Sequence, residues 1–252
     1  MPQYGDIEIG EDEDDPRVRL LALSRPASRN AMSQRLVDEC LDYLDAAAGH
    51  SGIGAIVMHG VGRGYCAGSD LAGLAAMDDR GRSAFEADSG RLARMILSHP
   101  KPILAAVHGF AVGGGLTLAA ACDVIVTAPD ARWSLPEVPI GLFPAWGLEA
   151  MTLRMGLAAA RRLSWGIDTL DGTSAVRAGL ADMVADDPLG ETLAIARRLA
   201  ALPGPQASSV KRYFAREQVA AAADAEANRL FMAACATPEA AASFARFGRK
   251  DG

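Results

Sequence analysis

The sequence predicts an α/β chain whose strands pair mainly in parallel and whose C-terminal part is helical. Three observations predict it. Apolar runs of strand length alternate with helical periodicity from the N-terminus to about residue 135. Glycine-rich stretches follow two of those runs, where the next element begins. Beyond about residue 145 the pattern is almost wholly helical, with a soft boundary near 188, before "PLGETLAIARRLAAL". Parallel neighbours in such a chain are joined by right-handed crossovers. The 252 residues are half hydrophobic, enough for a substantial core.

The elements follow in order. "DIEIG" and "VRLLALS" read as two strands joined by the acidic turn "EDEDDP", a solvated run. Ser33 is placed to N-cap the periodic run "QRLVDECLDYLDAA". "GAIVMHG" is a short strand and "VGRGYCAGSD" a glycine-rich loop. "RSAFEADSGRLARMILSH" has helical spacing, with Phe85, Leu92 and Ile96 on roughly one face. Strand "KPILAAVHG", helix "GGLTLAAACD", strand "DVIVTAPD" and a short "ARWSL" come next.

Composition excludes several classes. A net charge of −6 argues against a general nucleic-acid binder. Cys40, Cys66, Cys122 and Cys235 show neither CxxC pairing nor metal spacing and read as reduced thiols. No export signal is visible in "MPQYGDIEIGEDEDD". The uncharged run from Pro102 to Cys122 is long enough for a membrane span, but its histidine and glycine cluster would break a helix inside lipid. A doubly covered core segment is expected instead, in a soluble cytoplasmic protein.

The two glycine loops carry the chemistry. Each follows a strand and is poor in bulky side chains where the next element begins, so unpaired backbone N–H groups point outwards. Two such N–H groups from two loops make an oxyanion hole. The bland alternative is that the glycines only permit tight packing. A phosphate-binding P-loop is excluded, because "GFAVGGGL" has leucine where lysine is needed. A dinucleotide fingerprint fits "HGVGRGYCAG" poorly, since the GxGxxG spacing is missing.

Taken together, "LSRPASRNAMS", "VGRGYCAGSDL", "HGFAVGGGLTLAAACDVIV" and "WSLPEVPIGLFP" resemble, in order, the crotonase family of enoyl-CoA hydratases and isomerases. The resemblance runs from about residue 18 to Lys250. It implies a crotonase-like ββα spiral with two roughly perpendicular sheets over residues 1–188. It also implies a helical region over residues 189–252 used for assembly into a homotrimer or a dimer of trimers. The implied ligand is a coenzyme A thioester, present as part of the substrate, with no separate cofactor or metal.

The resemblance also implies site residues. The oxyanion donors fall on the N–H groups of Ser69 and Gly114. Ala67 and Leu71 fall on the loop around the adenine end of coenzyme A, and Arg29 and Ala31 on the pantetheine and phosphate path. Phe231 matches an aromatic near the adenine, and Lys250 a lysine that reaches the nucleotide phosphates.

Two glutamates serve the hydratases that this chain resembles. The second is present as Glu137, and Thr117 stands where the first would be. One carboxylate beside an oxyanion hole suits a double-bond shift better than hydration, so isomerase chemistry is expected first. Hydration would then need another acid, with Glu149 the first candidate and Trp146 nearby as a cap on the acyl pocket. Thioester hydrolysis or decarboxylation, and a non-catalytic acyl-CoA-binding homologue, are the remaining alternatives. Asp70 is read as a turn residue, and Cys66 and His108 as packed side chains.

Overall fold

The two strands flanking the acidic turn form a hairpin, β1 (Ile7–Glu11) antiparallel to β2 (Val18–Leu23), with Ile7 opposite Leu23. The computed structural model describes residues 4–215 and 221–248. Ser33 caps α1 (Gln34–Ala48): its Oγ accepts the Leu36 N–H at 3.0 Å and satisfies one donor of the first turn. α1 crosses over to β3 (Ala55–Gly60), parallel to β2. α2 (Leu71–Ala76), capped by Asp70, and the long α3 (Asp79–Ser98), capped by Asp78, lead on to β4 (Ile103–Val107), parallel to β3.

β5 (Phe110–Val112) and α4 (Gly114–Ala120) then return the chain to β6 (Val124–Thr127), and β7 (Arg132–Ser134) follows. After α5 (Leu148–Met155) and α6 (Leu157–Ser164) comes a two-residue strand, β8 (Thr169–Leu170). α7 (Gly172–Arg177) precedes a second such strand, β9 (Met183–Val184). The remainder is α8 (Pro188–Ala200), α9 (Gly204–Ala215), α10 (Ala221–Cys235) and α11 (Pro238–Phe247).

Two sheets result. The larger has the order β1-β2-β3-β4-β6-β9, parallel except for the β1–β2 hairpin, and the smaller is β5-β7-β8. Strands β8 and β9 lie in the stretch that reads as helical. Two residues carry no period, so only pairing with β7 and β6 makes them strands.

Alternation sorts the faces of the large sheet. Ala55 and Val57 of β3 and Leu104 and Ala106 of β4 meet Ala196 and Ala200 of α8. The intervening Ile56, Met58, Ile103, Ala105 and Val107 join the main core with residues of α1 and α3. Apolar residues at both phases of the strand are what cover on both faces requires. The helical region from residue 189 therefore opens by packing on the sheet itself.

The later helices fold back over the chain. α10 packs on α3, where Asn228 Nδ2 donates to the Ser83 carbonyl at 2.9 Å. α11 packs on α2 and on the turn Val138–Ile140, where Ser243 Oγ donates to the Ile140 carbonyl at 2.7 Å. Lys250 lies outside the described residues. Among those described, no helix is long and apolar enough to cross a membrane.

Candidate active site

Parallel pairing in the small sheet brings the two sequence motifs together. β5 and β7 run side by side with Val112 opposite Ser134, so the residues that follow each strand emerge at the same end. Those residues are the glycine triplet after β5 and the Pro136–Glu137 turn after β7. The Gly113 N–H donates to the Ser134 carbonyl at 2.9 Å and ties the two exits. The other glycine loop joins through single bridges, Cys66 opposite Ala111 and Met32 opposite Ser69. Four separate stretches of sequence thus meet at one place.

Each glycine of the triplet faces a different obstacle. At Gly113, where φ is +55°, a Cβ would stand 2.5 Å from Glu137 Oε1. At Gly114 it would press on Trp146 at 3.1 Å and Met32 at 3.3 Å, and at Gly115 on the Cys66 carbonyl at 2.4 Å. Gly68, where φ is +91°, lets its loop approach so closely that a Cβ there would lie 3.3 Å from the Gly114 nitrogen. Among the described residues, the N–H groups of Ser69 and Gly114 donate to no protein acceptor. Both residues line the same cavity of about 60 Å³.

Glu137 enters that cavity from the start of the Val138–Ile140 turn. Its own carbonyl accepts the N–H groups of Ile140 and Leu142, which hold the turn. The carboxyl is buried, and its Oε2 has no hydrogen-bond partner among the described residues. Burial disfavours the charged form and pushes this carboxyl up to about 7.

A second carboxyl lines the same cavity. Glu86, on α3, is only 4 % exposed. Burial pushes it up to about 8, the neighbouring Glu137 adds to the rise, and the Trp146 indole N–H opposes it. Leu74, Leu142, Phe143, Trp146 and Phe231 complete the apolar wall. Two carboxyls with raised proton affinity in one apolar enclosure are suited to acid–base chemistry.

The pattern of the enoyl-CoA hydratase/isomerase family matches residues 13–247. The chain belongs to this family. It is 35% identical to a probable enoyl-CoA hydratase of Bacillus subtilis over 189 residues, which cover 74% of this chain and 72% of that one. It is also 35% identical to the 2,3-dehydroadipyl-CoA hydratase of Escherichia coli over 185 residues, 73% of this chain and 71% of the other. An enoyl-CoA hydratase/isomerase structure from Mycobacterium paratuberculosis superposes with a TM-score of 0.88 at 28% identity, covering 96% of this chain and 98% of that one. The crotonase-like α/β architecture expected from the motifs is therefore the fold of this chain.

Within this enoyl-CoA hydratase/isomerase frame, the remaining candidate residues fall as follows. Ala67, Leu71 and Phe231 line the cavity with Ser69, Gly114 and Glu137. Arg29 is exposed at φ +54° and Ala31 is half-buried; neither lines the cavity. Their segment backs the glycine loop, with the Ala67 N–H donating to the Arg29 carbonyl at 3.0 Å. Thr117 lines the cavity too, but its Oγ1 donates to the Gly114 carbonyl at 3.2 Å.

Two expectations about the carboxyls need correction. Glu149 does not line the cavity of Glu137: it lines a separate small cavity with Arg94 and Asp224. The chain turns at Gly147, where φ is +75°; Trp146 lines the cavity of Glu137 and Glu149 the other. Glu137 is also not the sole carboxyl of the site, because Glu86 joins it from a helix that the motifs do not include. The signal was present in the helical register: Glu86 is seven residues before buried Ala93 and next to buried Phe85, a charge inside the apolar stripe.

The other titratable residues weighed above play structural parts. Asp70 accepts the Gly73 N–H as N-cap of α2 and pairs with Arg25 at 3.1 Å. Cys66 is buried, donates to the Asn30 carbonyl at 3.0 Å, and is pushed up to about 12 by burial, which keeps it from acting as a thiolate. His108 is half-exposed rather than a core residue, with its Nε2 2.9 Å from the Gly62 carbonyl.

Proposed function

We propose that this enzyme acts on enoyl-coenzyme A thioesters through an enolate. The amide N–H groups of Ser69 and Gly114 hold the thioester oxygen, and Glu137 moves a proton at the substrate carbon chain. The observation that carries this reading is the unpartnered Glu137 Oε2 in the cavity lined by two residues whose N–H groups are also free. Donors aimed at developing negative charge in an enclosed site are the strongest electrostatic contribution that such a site can make. Proton transfers of this kind require nothing beyond the carboxyls, the amides and the thioester, so coenzyme A enters only as part of the substrate.

Both reactions of the family pass through this enolate. In double-bond migration, the Glu137 carboxylate takes a proton from the carbon next to the thioester, and the electron pair moves onto the carbonyl oxygen. The resulting carboxylic acid returns that proton two carbons further along as the double bond shifts. In hydration, water adds at the third carbon and the second receives a proton. The preference for migration rested on a single matched carboxylate, and Glu86 removes that reason. The names of the similar hydratases support hydration of a 2-enoyl thioester as the first reading. Migration by Glu137 alone is the second, favoured by Thr117 at the other family position.

Self-association into a homotrimer or a dimer of trimers, which the resemblance implies, is part of this reading. The functional test is Glu137→Gln. Turnover is expected to fall roughly 10²–10⁴-fold, the usual contribution of a positioned acid–base group, while calorimetry still detects acyl-CoA binding. Near-normal turnover would remove Glu137 from the mechanism.

A further inference from the structure

We propose that Glu86 is a second catalytic carboxyl, supplying the proton that the enolate carbon receives during hydration while Glu137 takes the proton from water. The proposal rests on the enolate reading above and adds the residue that makes hydration, rather than migration alone, available. It places the second acid on α3, not at position 117.

Three observations and one energetic argument carry it. Among the described residues, Glu86 and Glu137 are the only ionisable side chains that line the cavity. No arginine, lysine or histidine of the described residues forms an ion pair with either. A buried carboxyl without a counterion lowers stability, so a purely structural role would be better filled by an apolar residue. Finally, Trp146 lines the cavity with Glu86 and lies against Gly114, so this carboxyl and the proposed oxyanion donor share one wall.

The charged and titratable neighbours leave the pair largely to itself. On its own helix, Arg82 pairs with Asp79 at 3.0 Å, and Arg94 pairs with Asp224 of α10. Cys235 of α10 is the remaining titratable group that senses Glu86, and burial chiefly pushes that thiol up to about 11. Burial raises the proton affinity of both carboxyls, and the Glu137 charge adds to the rise at Glu86.

The steps balance. The Glu137 carboxylate accepts a proton from water as the water oxygen bonds to the third carbon. The double-bond electrons move through the second carbon onto the thioester oxygen, giving the enolate. The Glu86 carboxylic acid then protonates the second carbon, and the carbonyl re-forms. Glu137 ends neutral and Glu86 ionised, and one proton passing from Glu137 to Glu86 restores the starting pair.

The test compares Glu86→Gln, Glu86→Asp, Glu137→Gln and Glu149→Gln with the wild type. One assay is hydration of crotonyl-CoA across pH; the other is α-hydrogen exchange of butyryl-CoA in D2O, read by mass spectrometry. Exchange removes and returns a proton at the second carbon, the step given to Glu86 in hydration and to Glu137 in migration, and it needs no addition of water. Glu86→Gln is expected to lower kcat for hydration roughly 10²–10⁴-fold, to remove the alkaline limb of its pH profile and to slow exchange as well. Glu86→Asp should retain that limb at a reduced rate, and Glu149→Gln should match the wild type. Hydration by Glu86→Gln near the wild-type rate with both limbs intact would overturn the proposal, as would Glu86→Asp without the alkaline limb. Exchange at the wild-type rate in both Glu86→Gln and Glu137→Gln refutes the enolate reading instead, and a wild type that performs neither reaction overturns both.

Discussion

Gly113 and Glu137 share one space: a Cβ on the glycine would stand 2.5 Å from the carboxylate oxygen. The glycine is therefore needed for where the acid sits, in addition to the φ of +55° that its backbone adopts. Parallel pairing of Val112 with Ser134 sets the two residues against each other.

Replacing Gly113 with alanine should displace the Glu137 carboxyl and strain the loop. Overpacking and positive φ together are expected to cost about 1–3 kcal/mol, read as a lower thermal midpoint. The drop in kcat should exceed what that loss of folded protein explains. A folded Gly113→Ala variant with normal kcat would show that Glu137 has room to move.

Gly114→Pro tests the oxyanion donor. Gly114 is the first residue of α4, where a proline is compatible with the helix while it lacks the N–H. Loss of that donor should lower kcat by the equivalent of roughly 2.7–4 kcal/mol. Circular dichroism must first establish that the variant folds, since Trp146 and Met32 crowd the position. Normal turnover by a folded variant would reduce the triplet to a packing device.

The buried carboxyls predict a pH dependence of stability. Glu137 rises from 4.5 to about 7 and Glu86 from 4.5 to about 8, so the folded protein holds protons that the unfolded chain has released. Their contribution is fully present below about 4.5 and is lost as pH rises to between about 7 and 8. For Glu137 alone the change is on the order of 3 kcal/mol. Urea titrations from pH 5 to 8 should show a smaller decline in the double variant Glu86→Gln, Glu137→Gln than in the wild type. Parallel declines would mean that the carboxyls are already solvated.

Much of the site was legible because its signals are local. The glycine triplet and the proline-glutamate turn each need particular residues in consecutive positions, and both hold in the structure. Glu86 was hidden for a different reason. Nothing beside it in the chain distinguishes it from a surface glutamate on an amphipathic helix, and only its register with Phe85 and Ala93 marks the buried face. Glu149 misled for the same reason in reverse, since one turn at Gly147 decides which of Trp146 and Glu149 points into the cavity.

By itself, the sequence determined the alternation of strands and helices, the Ser33 cap, the two glycine loops and the identity of Glu137. These depend on propensity, periodicity and steric exclusion within a few residues. Tertiary structure decided which loops meet, which carboxyls share a cavity and how far each is removed from water. The pairing of β5 with β7 joins residues 22 apart in the chain, and the packing of α3 brings Glu86 to Glu137 from 51 residues away. Proton affinity in such a site follows from desolvation and from the neighbouring charge, and both exist only once the distant segments have packed.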